Sequence, residues 1–125
     1  MLPVLIAGAG SSAIAVTRDE ITLADASGNA DGLTLYRFSP AGHGGPYPAV
    51  LLFHGGGWRR GSPGQLFYCA KNIAESGFVV YSAQYRLIGK DTQKVDDCIA
   101  DAVHVFNWIR EHAQTQNIDP QNIFV

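Results

Sequence analysis

The order of hydrophobic and polar residues along the chain predicts alternating strands and helices. Residues 16–23 and 33–38 each alternate between apolar and polar positions, as half-buried strands do, and a cluster of glycine, asparagine and aspartate separates them. This arrangement predicts an antiparallel β-hairpin. A continuous apolar run follows at 49–53, which is typical of a strand covered on both faces.

Two helices are predicted where apolar residues recur every three or four positions. The first is expected within residues 63–76, since Ser62 is a good N-cap residue, Pro63 suits the first helical turn and Gly77 provides a stop. The second is expected from about 92 to 114. Both helices have one apolar face, so each should pack against a sheet.

Strands are predicted after these helices, at 78–83 and 121–125. A hairpin followed by strand, helix, strand, helix and strand predicts an α/β fold with a mixed sheet, in which the later strands are parallel. Residues 16–125 contain all of these elements, and residues 1–15 precede them as an extension.

Composition narrows the classes of function. Charged residues make up 16% of the chain and hydrophobic residues 46%, which suits a sheet buried on both faces. The net charge is −2 and the basic residues are dispersed, so neither nucleic acid nor an anionic membrane is an expected partner. Cys69 and Cys98 form no metal-ligand pattern, and we expect both to be buried thiols.

The N-terminal residues resemble two kinds of signal. Val4 to Ala13 match a dinucleotide-binding fingerprint, but no helix is predicted after them, so no cofactor is expected. Leu2 to Ala9 resemble the apolar part of a secretory signal peptide, although no lysine or arginine precedes them. A cytoplasmic location is favoured and secretion is the alternative. The apolar stretch is too short for a membrane span.

The sequence His54-Gly55-Gly56-Gly57-Trp58 directly follows the apolar strand 49–53. Consecutive glycines leave backbone amides without side chains in front of them, as the binding of an oxyanion requires. The glycine loop, residues 54–58, should lie at the carboxyl end of its strand, beside the end of strand 121–125. A glycine-rich turn without a ligand is the alternative.

This junction resembles the α/β-hydrolase fold, and within it the esterases and lipases whose oxyanion loop reads His-Gly-Gly-Gly-Trp. Gly61-Ser62, Tyr85-Arg86-Leu87 and Ile118-Asp119-Pro120 follow in the order found in that family, and the match extends from about residue 16 to Val125. The resemblance is nearest to small acyl esterases, including acetyl- and feruloyl-esterase-like proteins. It implies a sheet order of 1-2-4-3-5, with the two helices on opposite faces of the sheet, so that Cys69 and Cys98 would be too far apart to form a disulfide. An α/β-hydrolase domain usually has about twice 125 residues, so residues 16–125 would be the N-terminal half of such a domain.

The resemblance also implies roles for individual residues. The amides of Gly56 and Gly57, and in some arrangements Gly55, would bind the oxyanion. His54 and Arg86 would support the loop, and Trp58 would either line the acyl pocket or pack beneath the loop. Side chains expected to be satisfied or solvated rather than catalytic are His43, His104 and His112, together with a helical carboxylate cluster of Asp96, Asp97 and Asp101.

None of the seven serines lies in a Gly-x-Ser-x-Gly sequence, so the nucleophile, acid and base of the family are expected beyond Val125. The predicted function is a serine carboxylesterase without a cofactor or metal, acting on a small ester, of which this chain supplies the oxyanion loop. By itself the chain should be inactive and should self-associate through the open edge of its last strand. The alternative is a non-catalytic α/β module that acts in binding or assembly.

Overall fold

The computed structural model describes residues 14–125, and within them five strands form one sheet. The order across the sheet is β1-β2-β4-β3-β5, as expected. The strands are β1 (Val16–Leu23), β2 (Leu33–Pro40), β3 (Tyr47–Phe53), β4 (Val79–Ala83) and β5 (Ile118–Phe124).

The sheet is mixed, which confirms the predicted fold class. β1 and β2 form the antiparallel hairpin, and β2 also pairs antiparallel with β4. β3 lies between β4 and β5 and runs parallel to both. Because their directions agree, the carboxyl ends of these three strands lie at one edge of the sheet, where open α/β folds bind ligands.

Two helices cover opposite faces of the sheet. α1 (Phe67–Ala74) places Ala70 and Ala74 in a buried cluster with Val80. α2 (Val95–Glu111) belongs to a second buried cluster, which includes Tyr81. Since consecutive strand residues point to opposite faces, Val80 and Tyr81 mark the two sides of β4. Right-handed crossovers in opposite directions along the sheet produce this arrangement.

The bounds of several elements differ from those predicted. A 3₁₀ turn at Pro63–Leu66 precedes α1, and α2 is shorter at both ends than its apolar pattern indicated. β5 begins at Ile118 rather than at residue 121, so it includes Asp119 and Pro120. Proline lacks a backbone N–H and is tolerated here because β5 is an outer strand of the sheet.

Burial of the cysteines was predicted correctly for Cys98 and wrongly for Cys69. Both thiols are free, which confirms the absence of a disulfide, but Cys69 is exposed. The reason is that Ala70 and Ala74 occupy the sheet-facing side of the short α1, which turns the preceding residue towards solvent.

The predicted signal-like segment and dinucleotide-type fingerprint fall in residues 1–13, outside the described part of the chain. From residue 14 onwards, neither helix combines the length and apolar character that crossing a membrane would need.

Candidate active site

The glycine loop leaves the sheet at the carboxyl end of β3. In the parallel pairing of β3 with β5, Val50 lies opposite Phe124, so Val125 and the loop lie at the same edge. This is the edge that the sequence predicted for the loop. Sheet pairing therefore determines where the loop lies, and the loop's own glycines determine its shape.

Three consecutive residues of the loop have positive φ angles: 136° at Gly56, 63° at Gly57 and 67° at Trp58. The carbonyl of Gly56 accepts hydrogen bonds from the amides of Arg59 and Arg60, both at 3.2 Å, which closes a tight turn. A Cβ atom on Gly56 would overlap the carbonyl of Arg60. Glycine is therefore required at position 56 for both its conformation and its lack of a side chain.

The amides of Gly56 and Gly57 donate to no backbone carbonyl in the described part of the chain. Both glycines are exposed at the surface, and no atom lies within 4 Å of the position that a Cβ of Gly57 would take. These N–H groups are therefore available to an external acceptor, as an oxyanion site needs.

A mainly apolar cavity of about 220 Å³ opens beside these amides. It is lined by Phe53, His54, Gly55, Gly56, Gly57, Trp58, Tyr85, Cys98 and Ala102. Trp58 is 43% exposed and forms one wall, with its ring edge-on to Tyr85 at 5.8 Å. Such a cavity suits the apolar group of an ester, with the ester carbonyl close to the backbone amides of the glycines.

Tyr85 holds the loop in place, a role that the sequence reasoning did not assign to it. Its buried hydroxyl donates to the backbone carbonyl of His54 at 2.6 Å, and its ring stacks on the His54 ring at 4.6 Å. It lies just beyond the carboxyl end of β4, next to β3. That position was visible in the sequence, but its contact with the loop depends on the order of the strands.

His54 is buried, with 4% of its surface exposed. Its Nδ1 lies 2.8 Å from the carbonyl of Gly55, and because a carbonyl only accepts, Nδ1 carries the proton. The ring is thus engaged by its own loop on one side and by Tyr85 on the other. These contacts join the His54 ring to the loop and to the residue that follows β4.

Arg86 and Asp101 form a buried ion pair behind the loop. The Nε and Nη2 atoms of Arg86 donate to the two carboxylate oxygens of Asp101 at 2.9 and 3.0 Å. These hydrogen bonds raise the pKa of Arg86 above its ordinary value. The prediction that Asp101 belongs to a solvated face was wrong, because its carboxylate is fully buried and also accepts from the amide of Ala26.

Asp25 extends this network into the turn between β1 and β2. Its Oδ1 accepts from the amide and the hydroxyl of Ser27 and from the amide of Asn29. Burial by itself would raise the pKa of Asp25, but these hydrogen bonds and the charge of Arg86 lower it overall. Arg86 therefore connects the hairpin turn to α2.

Among residues 14–125, no three side chains of the metal-binding types histidine, cysteine, aspartate and glutamate lie close enough to hold a metal ion. His43 and His112 are exposed, and His104 is partly exposed on α2. Ser82 is buried, and its hydroxyl donates to the carbonyl of Pro63 at 2.8 Å. None of these side chains lines the cavity beside the glycine loop.

Comparison with known proteins agrees with this geometry. The family model described as BD-FAE matches residues 35–125. Tuliposide A-converting enzyme b1, amyloplastic, from Tulipa gesneriana is 35% identical over 71 residues, which are 53% of this chain and 18% of that protein.

Two solved esterase structures superpose on most of this chain. The propionate-bound esterase Est2 of the Planctomycetes species Thermogutta terrifontis superposes with a TM-score of 0.74 and 34% identity, covering 89% of this chain and 39% of the other. A bacterial heroin esterase gives a TM-score of 0.78 and 28% identity, covering 92% and 36%. The chain thus spans well under half the length of these relatives.

Proposed function

The chain belongs to the BD-FAE family of α/β-hydrolase-type esterases, and on this basis we propose that it supplies the oxyanion loop of a serine carboxylesterase. The observation that carries the proposal is the pair of unengaged amides at Gly56 and Gly57, beside an apolar cavity at the ligand-binding edge of the sheet. No cofactor is needed for this chemistry.

In the proposed mechanism, the carbonyl oxygen of an ester lies against the amides of Gly56 and Gly57. A serine attacks the carbonyl carbon, and negative charge develops on the oxygen, where fixed N–H donors stabilise it. The alcohol leaves, and water then hydrolyses the acyl-enzyme. Losing one such donor typically costs about 3–4 kcal/mol of transition-state stabilisation.

The serine, acid and base of this mechanism are proposed to lie in polypeptide outside the 125 residues. The chain contains no Gly-x-Ser-x-Gly, and it spans only 39% and 36% of the two esterase structures compared above. Residues 16–125 are proposed to be the N-terminal half of the complete domain. Among small esters, the apolar cavity favours one with an apolar acyl or alcohol group.

Fluorophosphonate labelling tests this division of the site. The 125-residue chain should remain unlabelled and should hydrolyse p-nitrophenyl acetate no faster than buffer. A polypeptide extended through a Gly-x-Ser-x-Gly and the rest of an esterase domain should be labelled at that serine. In this extended protein, Gly56→Ala should lower kcat far more than Tyr68→Phe, a change at an exposed position on α1.

Two results would contradict the proposal. Stoichiometric labelling of the 125-residue chain at any of its serines would place the nucleophile inside it. An extended protein that folds but never hydrolyses an ester would favour the alternative of a non-catalytic module.

A further inference from the structure

One short segment contacts both ends of the glycine loop. The hydroxyl of Tyr85 donates to the carbonyl of His54, the first residue of the loop, at 2.6 Å. The amide of Ile88 donates to the carbonyl of Trp58, the last residue of the loop, at 2.8 Å. We call residues 85–88, which follow β4, the clamp segment. Because it contacts the loop at both ends, its position constrains where the glycine amides between them lie.

The contact at Trp58 holds a backbone conformation that a tryptophan rarely adopts. Trp58 has a φ angle of 67°, in the left-handed region that favours glycine. This conformation is strained for a residue with a side chain, and it persists only where the surroundings impose it. The amide of Ile88 is the only backbone donor to the Trp58 carbonyl among residues 14–125. The clamp segment therefore holds the loop at the point where the loop is strained.

A single carboxylate of α2 anchors the clamp segment. Oδ2 of Asp101 accepts from the backbone amide of Arg86 and from its Nε, both at 2.9 Å. Oδ1 accepts from Nη2 of Arg86 at 3.0 Å and from the amide of Ala26 at 2.9 Å. Asp101 thus fixes the main chain of the clamp segment as well as the guanidinium, at the residue next to Tyr85.

The burial of this carboxylate favours a role in positioning over one in stability alone. Asp101 is fully buried. Desolvation offsets much of the Coulomb attraction of a buried ion pair, so apolar residues of similar size often stabilise a core equally well. Charge-assisted hydrogen bonds are directional, and those to Asp101 fix one arrangement of the main chain that apolar packing would not specify.

We propose that Asp101 is a positioning residue for the glycine loop. Through the main chain of Arg86 it fixes the clamp segment, and the clamp segment fixes both ends of the loop, so that the amides of Gly56 and Gly57 keep one direction. Asp101 does not line the cavity and acts only through these other residues. The inference rests on the proposed function, because it concerns the amides proposed to bind the oxyanion.

Amide hydrogen exchange of the 125-residue chain, followed by NMR, tests the structural step. The informative amides are those of Arg59, Arg60 and Ile88, since each donates to a carbonyl of the loop. We expect Asp101→Asn to raise their exchange rates at least about tenfold above those in Ile109→Ala. Ile109→Ala also destabilises the protein, because it removes a buried side chain of the same helix, eight residues from Asp101. Exchange through global opening is therefore common to both variants.

Kinetics of the extended protein test the catalytic step. Asp101→Asn should lower kcat for p-nitrophenyl acetate about tenfold and change KM less than about twofold, because misdirected amides weaken only the stabilisation of the developing charge. Ile109→Ala should leave both constants within about twofold of the wild type. Asp96→Asn, the same chemical change at an exposed position of α2, is the matched control and should alter neither exchange nor kinetics.

A second variant keeps the ion pair intact. Tyr85→Phe removes one of the two clamp contacts without touching Asp101, and it should give the same local exchange and the same split between kcat and KM. It replaces Asp101→Asn in both measurements if that variant does not fold.

Three results would overturn the proposal. Equal exchange in Asp101→Asn and Ile109→Ala would give Asp101 a structural role only. Faster exchange with unchanged kcat would show that the amides keep their direction without the clamp segment. A higher KM with unchanged kcat would mean that the loop contributes to ester binding rather than to the transition state. The exchange measurement needs no activity, so it decides the role of Asp101 even if the extended protein hydrolyses no ester and the proposed function fails.

Discussion

At the scale of single residues, the glycine loop depends on backbone conformations that other residues adopt only at a cost. Gly56 and Gly57 both have positive φ, but only at Gly56 would a side chain also meet the backbone. The two positions therefore form a matched pair that separates conformational cost from steric overlap.

We expect Gly56→Ala to lower the free energy of unfolding by about 3 kcal/mol, and Gly57→Ala by about 1 kcal/mol. The larger value combines a strained φ with displacement of the Arg60 carbonyl. Urea denaturation of the two variants, followed by circular dichroism, measures the difference. Equal effects would mean that the turn at Gly56 opens without resistance.

Asp101 should be among the most costly polar residues to replace. Asp101→Asn removes the nearer of the two carboxylates beside the buried guanidinium of Arg86 and leaves only Asp25, at 3.9 Å, so we expect a loss of about 3 kcal/mol in the free energy of unfolding. Glu111→Gln, on the exposed side of the same helix, should cost less than about 0.5 kcal/mol. A small loss at Asp101 would show that water replaces the ion pair.

The ionised carboxylate of Asp25 stabilises the fold, so the free energy of unfolding should fall in acid. Its pKa is lower in the folded protein than the ordinary 3.8, so folding favours the ionised form. This contribution is fully present well above 3.8 and disappears as the pH falls through the folded pKa. The urea midpoint should therefore fall more steeply below about pH 4 in the wild type than in Asp25→Asn. Parallel pH curves for the two proteins would contradict this assignment.

At the scale of elements, the glycine loop of β3 is held by the residue that follows β4. Tyr85→Phe removes the hydroxyl that donates to the His54 carbonyl and leaves that carbonyl unsatisfied in a buried place. We expect a loss of about 1–3 kcal/mol in the free energy of unfolding, with faster amide exchange at Gly55 to Trp58. Tyr68→Phe, at an exposed position, is the control and should change neither.

Much of the fold was predictable because its elements have strong local patterns. The bounds of β1 were predicted to the residue, since alternation and a turn cluster define that strand. The start of β5 was missed because Asp119 and Pro120 are typical of loops. Cys69 was misplaced because the apolar pattern alone did not show which side of the short α1 faces the sheet.

The site was predictable to a lesser extent, for a physical reason. The sequence alone shows that no side chains cover the amides of consecutive glycines after an apolar strand, whereas the absence of a hydrogen-bond acceptor at Gly56 and Gly57 is visible only in the structure. The burial of Asp101 and the contact of Tyr85 with His54 depend on residues 15 and 31 positions away in sequence, which only the packing of α2 and the order of the strands bring together.

At the scale of the whole molecule, the sheet separates two thiols that report on different events. Cys69 is exposed on the α1 side, whereas Cys98 is buried on the α2 side, and burial raises its pKa above the ordinary value of 9.0. One thiol can therefore react in the folded protein, and the other should react only when the structure opens.

With Ellman's reagent at pH 8, we expect one rapid equivalent per chain and a second that is slower by at least about a thousandfold. The slow phase should accelerate with urea as global opening becomes more frequent. Cys69→Ser should remove the rapid phase and leave the slow one unchanged, which assigns each phase to its thiol. If both equivalents react rapidly without urea, the reagent reaches Cys98 in the folded protein through the cavity that this residue lines, and the description of Cys98 as a protected thiol would be wrong.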